Sequence, residues 1–113
     1  MAEVTKEIQD KAYEAIELAK KSGKIKKGTN EVTKAIERGI AKLVVSAGNV
    51  NPKEIIMHIE PLCKEKEIPY VLVSSKEDLG AAAGLPVGTS SVAIIKEGDA
   101  ANIIKDIKIK LSK

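Results

Sequence analysis

Aromatic residues are almost missing from this chain. Tyr13 and Tyr70 are the only two in 113 residues, with no Phe and no Trp. A core built without rings must be packed from Ile, Val, Leu and Ala. The same scarcity excludes binding by base stacking, because oligonucleotide-binding barrels and RNP sheets hold single-stranded bases on aromatic platforms. Cys63 stands alone, which rules out an internal disulfide framework and a Cys-based zinc site and makes a reducing cytoplasm the expected location. His58 is the only histidine. No serine or cysteine lies in a nucleophile-elbow sequence, and nothing points to a Ser–His–Asp set assembled from distant positions. No apolar run approaches the ~20 residues that span a bilayer. Met1-Ala2-Glu3-Val4-Thr5 starts polar, without an apolar signal core. Catalysis, a resident metal or cofactor, and membrane insertion are therefore not expected.

What is present is a mildly basic domain. Hydrophobic residues make up 43% and charged residues 31%, which suits one folded domain over residues 1–113. The net charge of +3 permits a polyanionic partner without demanding one. Its distribution says more. Lys20, Lys21, Lys24, Lys26 and Lys27 crowd one stretch free of acids, and Lys34, Arg38 and Lys42 follow.

Apolar residues at helical spacing predict a helix over 3–21, stopped at Ser22-Gly23. A short strand follows at 24–26. Gly28-Thr29-Asn30 turns into a helix with Val32, Ala35 and Ile36 inward, ended by Gly39. Leu43-Val44-Val45, Pro69 to Val73 and Ser91 to Ile95 read as core strands. Asn51-Pro52 predicts an N-cap and first helical position, with Ile55, Ile56, Ile59, Leu62 and Cys63 facing inward and Pro61 kinking or shortening the helix. Ser75 with Asp78 predicts a capped helix 76–83. Asp99 is expected to cap a last helix with Ile103, Ile104, Ile107 and Leu111 inside. The alternation predicts an α/β fold, a three-layer α/β/α sandwich around one mostly mixed four-stranded sheet.

Two stretches carry candidate chemistry. Gly80, Gly84 and Gly88 recur every four residues, but this is no P-loop, and Gly80 inside a helix points to close packing or to a partner's backbone approaching. Gly28 to Lys34 places a glycine turn before a helix start, where free N–H groups favour an anion. Asn30, Lys34 and Arg38 follow at i, i+4 and i+8 on one face. Asn, Lys and the carboxylate of Glu31 can together read base edges. An ordinary capped, charged helix accounts for the same residues equally well.

Gly28-Thr29-Asn30-Glu31-Val32-Thr33-Lys34-Ala35-Ile36-Glu37-Arg38-Gly39 closely resembles the signature of the archaeal kink-turn-binding ribosomal proteins, the L-seven-Ae family. So do Asn51 to Ile56, Ile68 to Val71, Ser75 to Gly80, and Gly84 to Gly88. The resemblance implies a single kink-turn RNA-binding domain, monomeric when free. Kink-turns are RNA helices bent at tandem sheared G·A pairs and a short bulge. It implies a place in rRNA, in box C/D and box H/ACA guide-RNA particles and in ribonuclease P, with roles extending to tRNA processing. Partners would be kink-turn RNA and the proteins of ribosomal and guide-RNA particles. Gly28, Asn30, Glu31 and Lys34 would face the G·A pairs. Lys27, Arg38, Lys42 and Lys76 would hold phosphates. Leu85, Pro86, Val87 and Gly88 would cover the bulge, and Asn51 would touch an extruded base.

The chain departs from that pattern at Ser46-Ala47-Gly48-Asn49, where an apolar residue, Ala and two acids are expected, and at Ser74, where Pro or a less polar residue is expected. Ser46 ends a core strand and needs a hydrogen-bond partner. Gly48 is expected to loosen its loop. The lost carboxylates would reduce repulsion of phosphate and remove acceptors. These differences arise from drift or from engineering, and RNA binding is expected to survive them with altered affinity. Two competing readings stand beside this one. A small-molecule or catalytic domain would use loops 46–51, 74–76 and 84–88 and needs a deep pocket. A protein-binding structural subunit needs a large exposed apolar patch.

Overall fold

The helical repeat of Ile8, Ala12, Ala15, Ile16 and Ala19 forms the buried face of helix α1, Lys6–Ser22. Thr5 caps it, its hydroxyl accepting from Ile8 N–H at 3.3 Å. This computed structural model describes residues 5–111. Glu3 and Val4, with which the expected helix began, lie outside the described residues.

Strands β1 (Lys24–Lys27), β2 (Leu43–Ala47), β3 (Tyr70–Val73) and β4 (Ser91–Lys96) form one sheet in the order β1-β4-β2-β3. β4 pairs antiparallel with both β1 and β2, and β2 pairs parallel with β3. The sheet is mixed, as expected. Helices α2 (Thr29–Glu37) and α3 (Ile59–Glu65) form one outer layer. α1, α4 (Lys76–Ala82) and α5 (Ala101–Leu111) form the other. α3 supplies the crossover that a parallel β2–β3 pair requires.

The strand polarities decide where the loops go. β2 and β3 end, β1 ends and β4 begins at the same edge of the sheet. The segments at 28–30, 48–52, 74–76 and 84–90 therefore gather at that edge.

The core is aliphatic throughout. Ile16, Ile36, Leu43, Ile59, Leu79, Ile94 and Ile107 are its largest fully buried side chains. Cys63 packs among them, and burial pushes its thiol up to about 12, so little thiolate forms near neutrality. Two hydroxyls interrupt the apolar interior. Ser46 and Ser91, cross-strand partners on β2 and β4, are both fully buried, with their Oγ atoms 2.9 Å apart. Ser46 thus has the partner its position demands. Burial also raises the Tyr70 phenol, opposed by a hydrogen bond with Ser46.

Two expected helix starts are corrected. Asn51 and Pro52 do not open α3. The Asn51–Pro52 peptide is cis, Lys53–Ile55 makes only one 3-10 turn, and α3 begins at Ile59 after His58. Pro61 accounts for the delay. A helix begun at 52 would hold Pro61 in its interior, where the ring clashes with a carbonyl one turn back. Beginning at Ile59 puts it in the first turn, where its N–H is not needed. Ile55 is accordingly outside the core, at 39% exposure. Asp99 does not cap α5 with its side chain. A 3-10 turn, Gly98–Ala100, leads into α5, and the Ser22 hydroxyl accepts from Asp99 N–H at 2.7 Å.

The serine pair makes a direct prediction. Ser46→Ala should cost about 1–2 kcal/mol in denaturant unfolding, because Ser91 loses its partner. Ser46→Ala/Ser91→Ala should cost clearly less than the sum of the single changes. Additive losses would show that the two hydroxyls do not act as a pair.

Candidate nucleic-acid interface

α2 starts without a cap. Gly28 holds the N-cap position at φ +90°, a conformation that suits glycine, and among the described residues no side-chain cap hydrogen bond is made there. The turn is anchored from behind, with Gly28 N–H donating to Ser91 O at 2.9 Å. Thr29 Oγ1 lies 2.7 Å from Ser90 Oγ. Asn30, Glu31 and Lys34 stand exposed on the free side, beside exposed Lys27.

This helix start lines an open depression of about 700 Å³ with Lys27, Gly28, Thr29, Asn30, Glu31, Ile55 and His58. Neither Ile55 nor His58 is suggested by sequence pattern. Ile55 reads as core until the short 3-10 turn rotates it outward, and His58 reads as a boundary residue. His58 Nε2 lies 2.8 Å from Thr33 Oγ1, and Thr33 Oγ1 donates to Thr29 O at 2.7 Å. The hydroxyl has one proton, already given to Thr29. His58 must therefore donate from Nε2, which sets its tautomer when neutral.

The apolar loop lies close by along the sheet edge. Leu85 is half-buried against the core, and Pro86, Val87 and Gly88 are exposed, Val87 by 68%. Leu85 N–H donates to Gly80 O at 2.9 Å and Thr89 N–H to Lys76 O at 3.1 Å. Gly80 is the seat of this loop. A Cβ there would fall 2.1 Å from Val87 O. Gly80 and Gly88 thus serve close packing of α4 against its own loop.

Asn51 is exposed and Lys76 half-buried, and the loop between β2 and the cis bond ties them together. Asn49 Oδ1 accepts from Lys76 N–H at 2.8 Å, and Gly48 N–H donates to Val73 O at 2.8 Å. These two bonds tie the loop around Gly48 to the end of β3 and to the first turn of α4. Ser75 caps α4 as expected, accepting from Asp78 N–H at 3.1 Å. Ser74 N–H donates to Gln9 Oε1 at 3.0 Å, so α1 also braces this turn.

Two expected residues do not join the loop cluster. Arg38 closes the C-terminal end of α2, about 12 Å along the helix from Asn30 at 1.5 Å per residue. Lys42 precedes β2, with its N–H on Ile94 O at 2.6 Å, at the far end of the sheet. Both are exposed. The ion pairs Lys11–Asp106 and Glu7–Lys110 join α1 to α5 in the other layer. There the Lys110 ammonium holds the Glu7 carboxyl below its ordinary value, chiefly through the hydrogen bond. Among the described residues, no cluster of three or more His, Cys, Asp or Glu is arranged to hold a metal, and no helix is long and apolar enough to cross a membrane.

These features define a small α/β/α domain that presents an uncapped helix start, basic side chains and a stiff apolar loop at one sheet edge. The sequence model of the ribosomal protein L7Ae/L30e/S12e/Gadd45 family matches residues 10–104, and the chain belongs to that family. Its structure is similar to the solved structure of the Giardia lamblia 15.5kD RNA binding protein. The TM-score is 0.90 at 31% identity, over 96% of this chain and 90% of that one.

Replacing Gly80 by Ala should push residues 87 and 88 off α4. Hydrogen exchange at Leu85 and Thr89 should accelerate while α1 and β4 stay protected. Unchanged exchange at both amides would show that the loop does not depend on this contact.

Proposed function

We propose that this chain is a single RNA-binding domain that binds and stabilises kink-turn RNA. It would act as a non-catalytic part of ribosomal and guide-RNA particles, with rRNA, box C/D, box H/ACA and ribonuclease P RNAs as targets. The observation that carries this reading is the uncapped start of α2, with Asn30, Glu31 and Lys34 exposed around free N–H groups. Likeness to a Giardia lamblia protein described as RNA binding supports the class of partner.

The chemistry of each group suits a role. Sheared G·A pairs turn base edges outward, where an amide, a carboxylate and an ammonium offer complementary donors and acceptors. Gly28, Asn30, Glu31 and Lys34 take that role. Lys27 and Lys76 at the loop cluster, with Arg38 and Lys42 farther along, meet phosphates. Leu85, Pro86, Val87 and Gly88 shield the bulged nucleotides, and Asn51 offers its amide to an extruded base. The particle proteins dock on surface left free by the RNA.

The test is a titration against a kink-turn RNA and a control whose G·A pairs are converted to Watson–Crick pairs. Tight binding to the first alone is expected, with a salt slope of only a few phosphates. Asn30→Ala should weaken kink-turn binding about 10- to 100-fold, the worth of a paired base contact. Arg38→Ala should weaken both RNAs alike and lower the salt slope by about one. Equal weak binding to both RNAs by the unmodified chain would reduce the basic cluster to a charged surface.

A further inference from the structure

We propose that Asn49 is a positioning residue whose neutral amide locks the loop carrying Asn51 to the first turn of α4, presetting Asn51, Lys76 and the apolar loop as one RNA-binding unit. This inference rests on the proposed function above.

Both halves of the amide are used. Oδ1 accepts from Lys76 N–H at 2.8 Å, and Nδ2 donates to Glu77 Oε1 at 3.3 Å. The reverse orientation would set a donor against an N–H and an acceptor against a carboxylate, so the two partners decide which end is oxygen. Ser75 Oγ donates to the same Glu77 oxygen at 3.4 Å. Glu77 is thereby folded over the start of α4, where the helix dipole favours a negative charge.

The lock reaches three loops. Two residues beyond Asn49 lies Asn51. Lys76 O accepts from Thr89 N–H at 3.1 Å, and a Cβ on Gly88 would fall 3.1 Å from Lys76 Cγ. One side chain therefore joins segment 48–51 to 74–76, and through Lys76 to 85–89.

In this chain an amide suits position 49 better than an acid. An aspartate at 49 would keep the bond to Lys76 N–H but would set a second carboxylate against Glu77. That repulsion would release Glu77 from α4 and leave its charge to swing beside the phosphates. The family resemblance implies an acid here, and the amide removes that conflict while retaining the acceptor.

The test is a double-mutant cycle in the full chain, read as affinity for kink-turn RNA at low salt. Asn49→Asp should bind roughly fivefold more weakly, the range of one exposed charge contact. Glu77→Gln alone should change affinity by less than about twofold, since the proposed interface does not include Glu77. Asn49→Asp/Glu77→Gln should recover most of the loss, because the repulsion is gone. If Glu77→Gln improves both backgrounds by the same factor, Asn49 acts only through net charge and the inference fails. It fails equally if Asn49→Asp binds like the unmodified chain. An unmodified chain that does not prefer the kink-turn over the Watson–Crick control overturns the proposed function, and this inference with it. A preference combined with additive mutants overturns the inference alone.

Discussion

Residues 90 and 91 hold the loop-bearing edge of the sheet together. β4 begins there, between two neighbours, and takes bonds from each. Gly28 N–H donates to Ser91 O and Ala47 N–H to Ser90 O, both at 2.9 Å, while the Ser90 and Thr29 hydroxyls meet at 2.7 Å. The start of α2 and the end of β2 are thus positioned on one strand end. The remaining order follows from strand direction. Because β3 runs parallel to β2, its exit loop and α4 must appear at the same edge. A one-residue slip of β4 would turn its buried side chains to the opposite faces and displace every loop tied to it.

Polar and apolar groups are distributed against the usual inside-outside preference at this edge, and each exception is bonded. Ser46 and Ser91 lie in the core but satisfy one another, and among the described residues no buried side-chain polar atom lacks a partner. Val87 projects into solvent, yet burial of its side chain is not what places the loop. Backbone bonds from Leu85 to Gly80 and from Thr89 to Lys76 do that. A tip held by its base has its apolar surface available before any partner arrives, which lowers the ordering cost of binding.

What was legible in the sequence was what depends on near neighbours. The amphipathic stripe of α1, the glycine turn before α2, the serine cap of α4 and the core strands are encoded within a few residues, and all appear in the structure. Alternating helices and strands imply the layered sandwich, and the family resemblance added Asn51, Lys76 and residues 85–88 to the candidate residues. The misses arise where a distant contact or a competing local rule intervenes. Asn51-Pro52 is a sound helix start taken alone, but Pro61 nine residues later shifts α3 and turns Ile55 outward. His58 joins the site through Thr33, 25 residues away, and Ser22 replaces Asp99 as a cap from 77 residues away. No periodicity records such pairs. The same limit applies to Asn49, whose value lies in Lys76 and Glu77 rather than in its own segment.

The split of the basic residues bears on the shape of the proposed RNA. Lys27 and Lys76 sit with the uncapped helix start and the apolar loop, whereas Arg38 and Lys42 lie at the opposite end of α2 and of β2. A straight duplex laid along α2 would meet the distant cations but would carry its base edges past Asn30 inside a closed helix, where sheared pairs are not offered. An RNA bent at its G·A pairs resolves this. Its vertex can rest on the start of α2 while one arm follows α2 toward Arg38 and the bulge folds over Val87. On the proposed reading, the two groups of cations would serve different parts of one ligand, and the bend would be the feature that brings both within its reach.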